Sequence, residues 1–120
     1  MANILLVDDL AFVKVVEKDI LEKGGHKVVG DASNGAIAVQ LYNELQPDLV
    51  IMDITMPEVN GLEALDAILK INASAKIIMC SALGQQSLIV EAIERGAKDF
   101  IVKPFKPERL ISAIEKALAS

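Results

Sequence analysis

Four apolar runs in this chain each end on a residue that could do chemistry. Asn3 to Val7 (NILLV) runs into Asp8-Asp9, Leu49 to Met52 (LVIM) into Asp53, Lys76 to Cys80 (KIIMC) into Ser81, and Asp99 to Val102 (DFIV) into Lys103-Pro104. Singly, each has a plain explanation: an Asp after a strand is often a helix cap, Ser81 a turn residue, Lys103 a solvated strand end. Jointly they read differently. Carboxylates brought to one place repel one another and raise each other's pKa values unless a cation compensates. Oxygen-only ligands suit Mg²⁺, which takes one or two carboxylates and keeps several waters. A carboxylate held beside such an ion can attack a phosphoryl group in line, which makes Asp53 a candidate covalent acceptor. The Lys103 ammonium would offset charge on the phosphoryl oxygens, and the Ser81 hydroxyl could donate a hydrogen bond to one of them. The backbone carbonyl of Thr55, just past Asp53, is placed to complete the metal shell.

These residues meet only if the elements carrying them converge. Five short apolar runs, beginning at Asn3, His26, Leu49, Lys76 and Asp99, alternate with segments of helical spacing such as Leu110, Ile111, Ile114, Ala117 and Leu118. This is a (βα)5 rhythm. Hydrophobic residues make up 52% of the chain and aromatics only 3%, so Val, Ile, Leu and Ala must fill the core, as they do when helices pack on a parallel sheet. Right-handed crossovers then place helices on both faces of a doubly wound α/β sheet. In the flavodoxin-like strand order 2-1-3-4-5, ligands bind between the carboxyl ends of the first and third strands, where Asp8, Asp9 and Asp53 fall. Local punctuation agrees: Gly24 and Gly96 follow basic residues as left-handed helix caps would, Asn60 with Glu63 resembles a capping box, and Pro107 suits a first helical turn.

Other readings are excluded or weakened. At 120 residues the chain is read as one domain, 1–120. A net charge of −5 without a basic cluster argues against nucleic acid or an anionic membrane as partner. No signal peptide is evident and no run reaches about 18 apolar residues, which predicts a soluble cytoplasmic protein. Cys80, the single cysteine, is read as core, and His26, the single histidine, as an exposed turn residue. A nucleotide P-loop is excluded by the absence of GK[ST]. An aspartate-nucleophile phosphatase would need a second Asp two residues after Asp53, where Thr55 stands. A flavodoxin-like cofactor module would have a Ser- and Thr-rich loop after the first strand, where Asp8 and Asp9 would repel a phosphate lacking a metal.

The stretches LLVDD (Leu5 to Asp9), DITMPEVNG (Asp53 to Gly61), CSA (Cys80 to Ala82) and DFIVKPF (Asp99 to Phe105) resemble, in order and spacing, the signatures of two-component receiver domains. The likeness covers essentially the whole chain. Within the family, CSALGQQ and the absence of an output domain resemble the stand-alone chemotaxis regulators. The resemblance implies that Asp53 accepts a phosphoryl group from a kinase histidine. It implies that Asp9 and Asp53 bind Mg²⁺ directly with the Thr55 carbonyl, and that Asp8 acts through a water. Lys103 would contact the phosphate, Ser81 and Phe100 would form a switch pair, and the Lys103-Pro104 bond would be cis. Thr55 and Leu83 hold positions that influence the lifetime of the acyl phosphate. The implied partners are a chemotaxis histidine kinase, a phosphatase, and a flagellar motor switch or archaellar adaptor protein, met by a monomer that is no enzyme beyond slow self-dephosphorylation. A phosphorelay intermediate is the alternative within the family. Phe100 departs from the Tyr common at its position, so any signal through it must work by packing alone. The partner face would comprise Ile89, Ile93, Phe100 and Val102, for which ordinary core is the plain alternative, above all for Ile93 and Val102.

Overall fold

Each apolar run forms a strand and each periodic segment a helix. The order is β1 (Asn3–Val7), α1 (Ala11–Lys23), β2 (Lys27–Ala32), α2 (Gly35–Leu45), β3 (Leu49–Asp53), α3 (Gly61–Ile71), β4 (Ile77–Ala82), α4 (Gln86–Arg95), β5 (Asp99–Lys103) and α5 (Pro107–Ala119). The computed structural model describes residues 2–54, 56, 60–82 and 84–120; Thr55 and Leu83, both singled out in the sequence, lie outside them. The strands form one parallel sheet in the order β2-β1-β3-β4-β5, the predicted doubly wound arrangement.

Both faces of the central strands are covered, so those strands carry no polar face. Successive residues alternate between two layers. Leu5, Val7, Val50, Met52, Ile77 and Met79 pack with Leu65 and Ile68 of α3 on one side. Ile4, Leu6, Leu49, Ile51, Ile78, Cys80 and Ile101 pack with Leu21 of α1 and with Leu110 and Ile114 of α5 on the other. Cys80 is core, as predicted, and burial pushes its thiol pKa well up.

The punctuation is borne out with one correction. Asn60 and Glu63 exchange both hydrogen bonds of a capping box, and Pro107 opens α5. Gly96 has φ +122°, but Gly24 has φ −84°, and the left-handed residue is the next one, Gly25, at φ +87°. Gly24 answers to packing instead: a Cβ there would lie 2.7 Å from the Ile111 Cδ1 on α5. His26 is half-buried rather than exposed, because its Nδ1 accepts a hydrogen bond from the Ala2 amide at 3.1 Å. Among the described residues no helix is long and apolar enough to cross a membrane.

Register sets up the site. Val7 pairs with Met52, Asp53 with Cys80, Ser81 with Val102 and Ala82 with Lys103, so the polar strand ends share one edge.

Candidate functional site

Asp8 is the anchor of the edge. Its side chain is buried; Oδ1 accepts the Leu10 amide at 2.9 Å and Oδ2 accepts the Lys103 ammonium at 2.5 Å. The helix-cap explanation fails for both acidic residues of this loop, since Leu10 is the N-cap of α1 and caps it with no side chain. Asp9 is exposed and Asp53 partly buried, and Asp8, Asp9 and Asp53 each offer one carboxylate oxygen within 4.8 Å of the others. Lys103 Nζ lies 3.5 Å from Asp53 Oδ2. Burial lowers the Lys103 pKa, but the hydrogen bond to Asp8 and the charges of Asp53 and Asp8 outweigh it, and the net direction is up. The lysine therefore stays charged. Three carboxylates against one ammonium leave an excess of two negative charges, which one divalent, oxygen-seeking cation would balance. Asp8, Asp9 and Asp53 fit such an ion.

Asp53 is held from behind by its own loop. The Gly61 amide donates to the Ile54 carbonyl at 2.8 Å, and the Ile54 amide donates to the Cys80 carbonyl at 2.9 Å. A Cβ at Gly61 would lie 2.3 Å from the Asp53 carbonyl oxygen and 2.7 Å from the Ile54 Cα. Only glycine lets the start of α3 come this close to the strand end, a role that the sequence reading left unassigned.

Ser81 is the last residue but one of β4, one residue beyond Cys80, the partner of Asp53. It is fully buried, and its Oγ has no hydrogen-bond partner among the described residues. An unmet buried hydroxyl costs about 1–3 kcal/mol. It is a donor ready for an acceptor placed at this edge.

On the far side of β5 lies a groove of about 450 Å³ lined by Ile89, Val90, Ile93, Phe100 and Val102. All four residues predicted for a partner face line it, but the core alternative was assigned to the wrong isoleucine: Ile93 is 41% exposed, while Ile89, one turn earlier, is 7% exposed. Phe100 and Val102 are half-buried. Arg109 of α5 ties the edge strand down, donating to the Phe100 carbonyl at 2.7 Å and pairing with Asp99.

Glu17 was missed. It occupies the α1 register Val13, Glu17, Ile20, Leu21 that faces the core, and it is 2% exposed. Burial raises its pKa, Lys103 lowers it, and Asp8 and Asp53 raise it, to about 7. The signal was legible: a charged residue standing in an apolar i, i+4, i+7 stripe.

Residues 4–115 match the family of response regulator receiver domains. The chain belongs to that family. Curated receivers resemble it along nearly their whole length: the chemotaxis protein CheY of Thermotoga maritima is 57% identical over 95% of each chain, and CheY of Bacillus subtilis is 59% identical over 97% of each. The solved CheX-CheY-BeF3-Mg²⁺ complex from Borrelia burgdorferi matches 98% of this receiver and 90% of that chain, with a TM-score of 0.93 at 32% identity. The receiver has the cis Lys103-Pro104 bond that its motifs implied.

Proposed function

We propose that this receiver, read as one domain over residues 1–120, takes a phosphoryl group from a kinase histidine onto Asp53 in the presence of Mg²⁺, and thereby changes its affinity for a chemotaxis partner. The observation that carries the proposal is the acidic group at the strand switch point, with a paired lysine and an unmet serine hydroxyl at the same edge. The likeness to CheY from two organisms favours chemotaxis over a phosphorelay, with a flagellar motor switch or archaellar adaptor protein as target. The Borrelia relative, solved with Mg²⁺, BeF3 and CheX, supports both the ion and a dedicated partner such as a phosphatase.

In the transfer, an Asp53 carboxylate oxygen forms a bond to phosphorus as the bond from phosphorus to the histidine nitrogen breaks, and the histidine recovers a proton. Bound Mg²⁺ would supply charge compensation for the phosphoryl oxygens. Asp9 and Asp53 would hold it directly with the Thr55 carbonyl, and Asp8 through a water. Lys103 needs little movement to reach the incoming oxygens, since it already lies 3.5 Å from Asp53 Oδ2. Ser81 would donate to another of those oxygens and draw toward it. Phe100 would then turn into the vacated space, reshaping the groove that it shares with Ile89, Ile93 and Val102. Coupling of this kind is typically about 1–3 kcal/mol. The protein acts as a phosphoacceptor that loses its group slowly, works as a cytoplasmic monomer, and binds neither nucleic acid nor membrane.

The test is intact-mass measurement after incubation with acetyl phosphate and Mg²⁺. One phosphoryl group should add to the parent and none to Asp53→Asn. An undiminished adduct in that variant refutes the assignment.

A further inference from the structure

Glu17 has no role in the chemistry above, yet it is an acid buried on the core side of its helix. It occupies a core-facing position on α1, buried beside the layer that contains Leu21, Cys80 and Ile101, and it forms no hydrogen bond or ion pair with another described residue. A buried acid with no donor among the described residues is costly, and an apolar side chain of similar size in such a slot is commonly neutral or stabilising. The surroundings show what the acid faces. Glu17 and Lys103 line one cleft, about 490 Å³, walled by Phe12, Val16, Pro104 and Phe105. Lys103 lies on the α1 and α5 side of the sheet, in alternation with Ile101, before its ammonium turns over the edge to Asp8. Lys103 thus belongs both to the cleft that holds the buried acid and to the edge that holds the two aspartates.

We propose that Glu17 is a positioning residue, whose carboxylate competes from below with a phosphoryl group on Asp53 for the Lys103 ammonium. The inference rests on the reading of Asp53 as phosphoacceptor. An ammonium paired with Asp8 and Asp53 and also attracted at longer range by the Glu17 carboxylate engages a further anion less fully than one held by the aspartates alone. The charges of Lys103, Asp8 and Asp53 all act on Glu17, which is consistent with that competition. Glu17 would therefore restrain the reactivity of the site from a position that touches neither the phosphoryl group nor the ion.

The test compares the parent with Glu17→Gln, which keeps the shape, and Glu17→Leu, which keeps only the volume and suits the core. Each is made in the Lys103 and the Lys103→Ala backgrounds. The readouts are the initial rate of phosphoryl uptake from acetyl phosphate with Mg²⁺, by intact mass, and the affinity for beryllofluoride with Mg²⁺, by calorimetry. Both variants should raise uptake and affinity by about threefold or more, and in the Lys103→Ala background the gain should fall to less than half. Agreement between two side chains of different shape is what a charge effect gives and a packing effect does not. Parent-like rates in both variants, or a gain that keeps half or more of its size without Lys103, overturn the inference while leaving Asp53 as acceptor. A parent that takes up no phosphoryl group overturns the underlying reading, and this inference with it.

Discussion

Replacing Glu17 with Gln should change how stability depends on pH, and the size of the change follows from where the carboxyl lies. The folded receiver holds this group at a pKa of about 7, against about 4.5 in its ordinary state, chiefly because burial disfavours the anion. Between those values the folded chain binds more protons than the unfolded chain, so stability falls as pH rises through the window. The interval corresponds to about 3 kcal/mol, a large share of the 5–15 kcal/mol typical of a domain. Gln is neutral throughout, so the variant lacks this loss. Urea unfolding followed by circular dichroism, without divalent cations, should show the stability of Glu17→Gln minus that of the parent growing from pH 4.5 to pH 7 and levelling above it. The accompanying change in Tm should be on the order of 10 °C. The other titrating groups contribute to both proteins and largely cancel in the difference. A difference that stays flat from pH 5 to pH 8 would show that the carboxyl reaches solvent in the folded receiver, and the reasoning would fail.

Gly61→Ala should destabilise the receiver by about 1–3 kcal/mol in the same assay and slow phosphoryl uptake, since the added methyl meets the backbone of Asp53 and Ile54; unchanged stability and uptake would remove the glycine from the site. Mg²⁺ should raise the Tm of the parent by mass action, and Asp9→Asn should weaken that response while raising Tm in its absence, because one of the like charges is gone. Phe100→Ala should leave Asp53 reactive but compress the ratio of partner affinities between phosphorylated and free protein, read by titrating a fluorescent motor-switch peptide; an unchanged ratio would mean that the signal leaves by another face.

Much of this receiver was legible in one dimension, because strand and helix periods are local properties of the chain. The run NILLV reads as a strand from its own apolar residues, and the capping box at Asn60 needs only its own turn. The residue types at the strand ends were likewise enough to name Asp8, Asp9, Asp53, Ser81 and Lys103 as a group. What lay beyond the sequence depended on which element came to rest against which. That Asp8 answers to Lys103, 95 positions away, and not to the helix that follows it, is decided by the parallel register of β1, β3, β4 and β5. Gly24 is glycine because α5 crosses close by, Ile93 faces solvent while Ile89 does not because β5 ends the sheet, and Gly61 is glycine because α3 starts against the backbone of Asp53. Glu17 shows the division most clearly. Helical spacing placed it on the core side of α1, but only the cleft that α1 shares with the end of β5 put a lysine within its field, since a charge acts across space and the sequence records only separation along the chain.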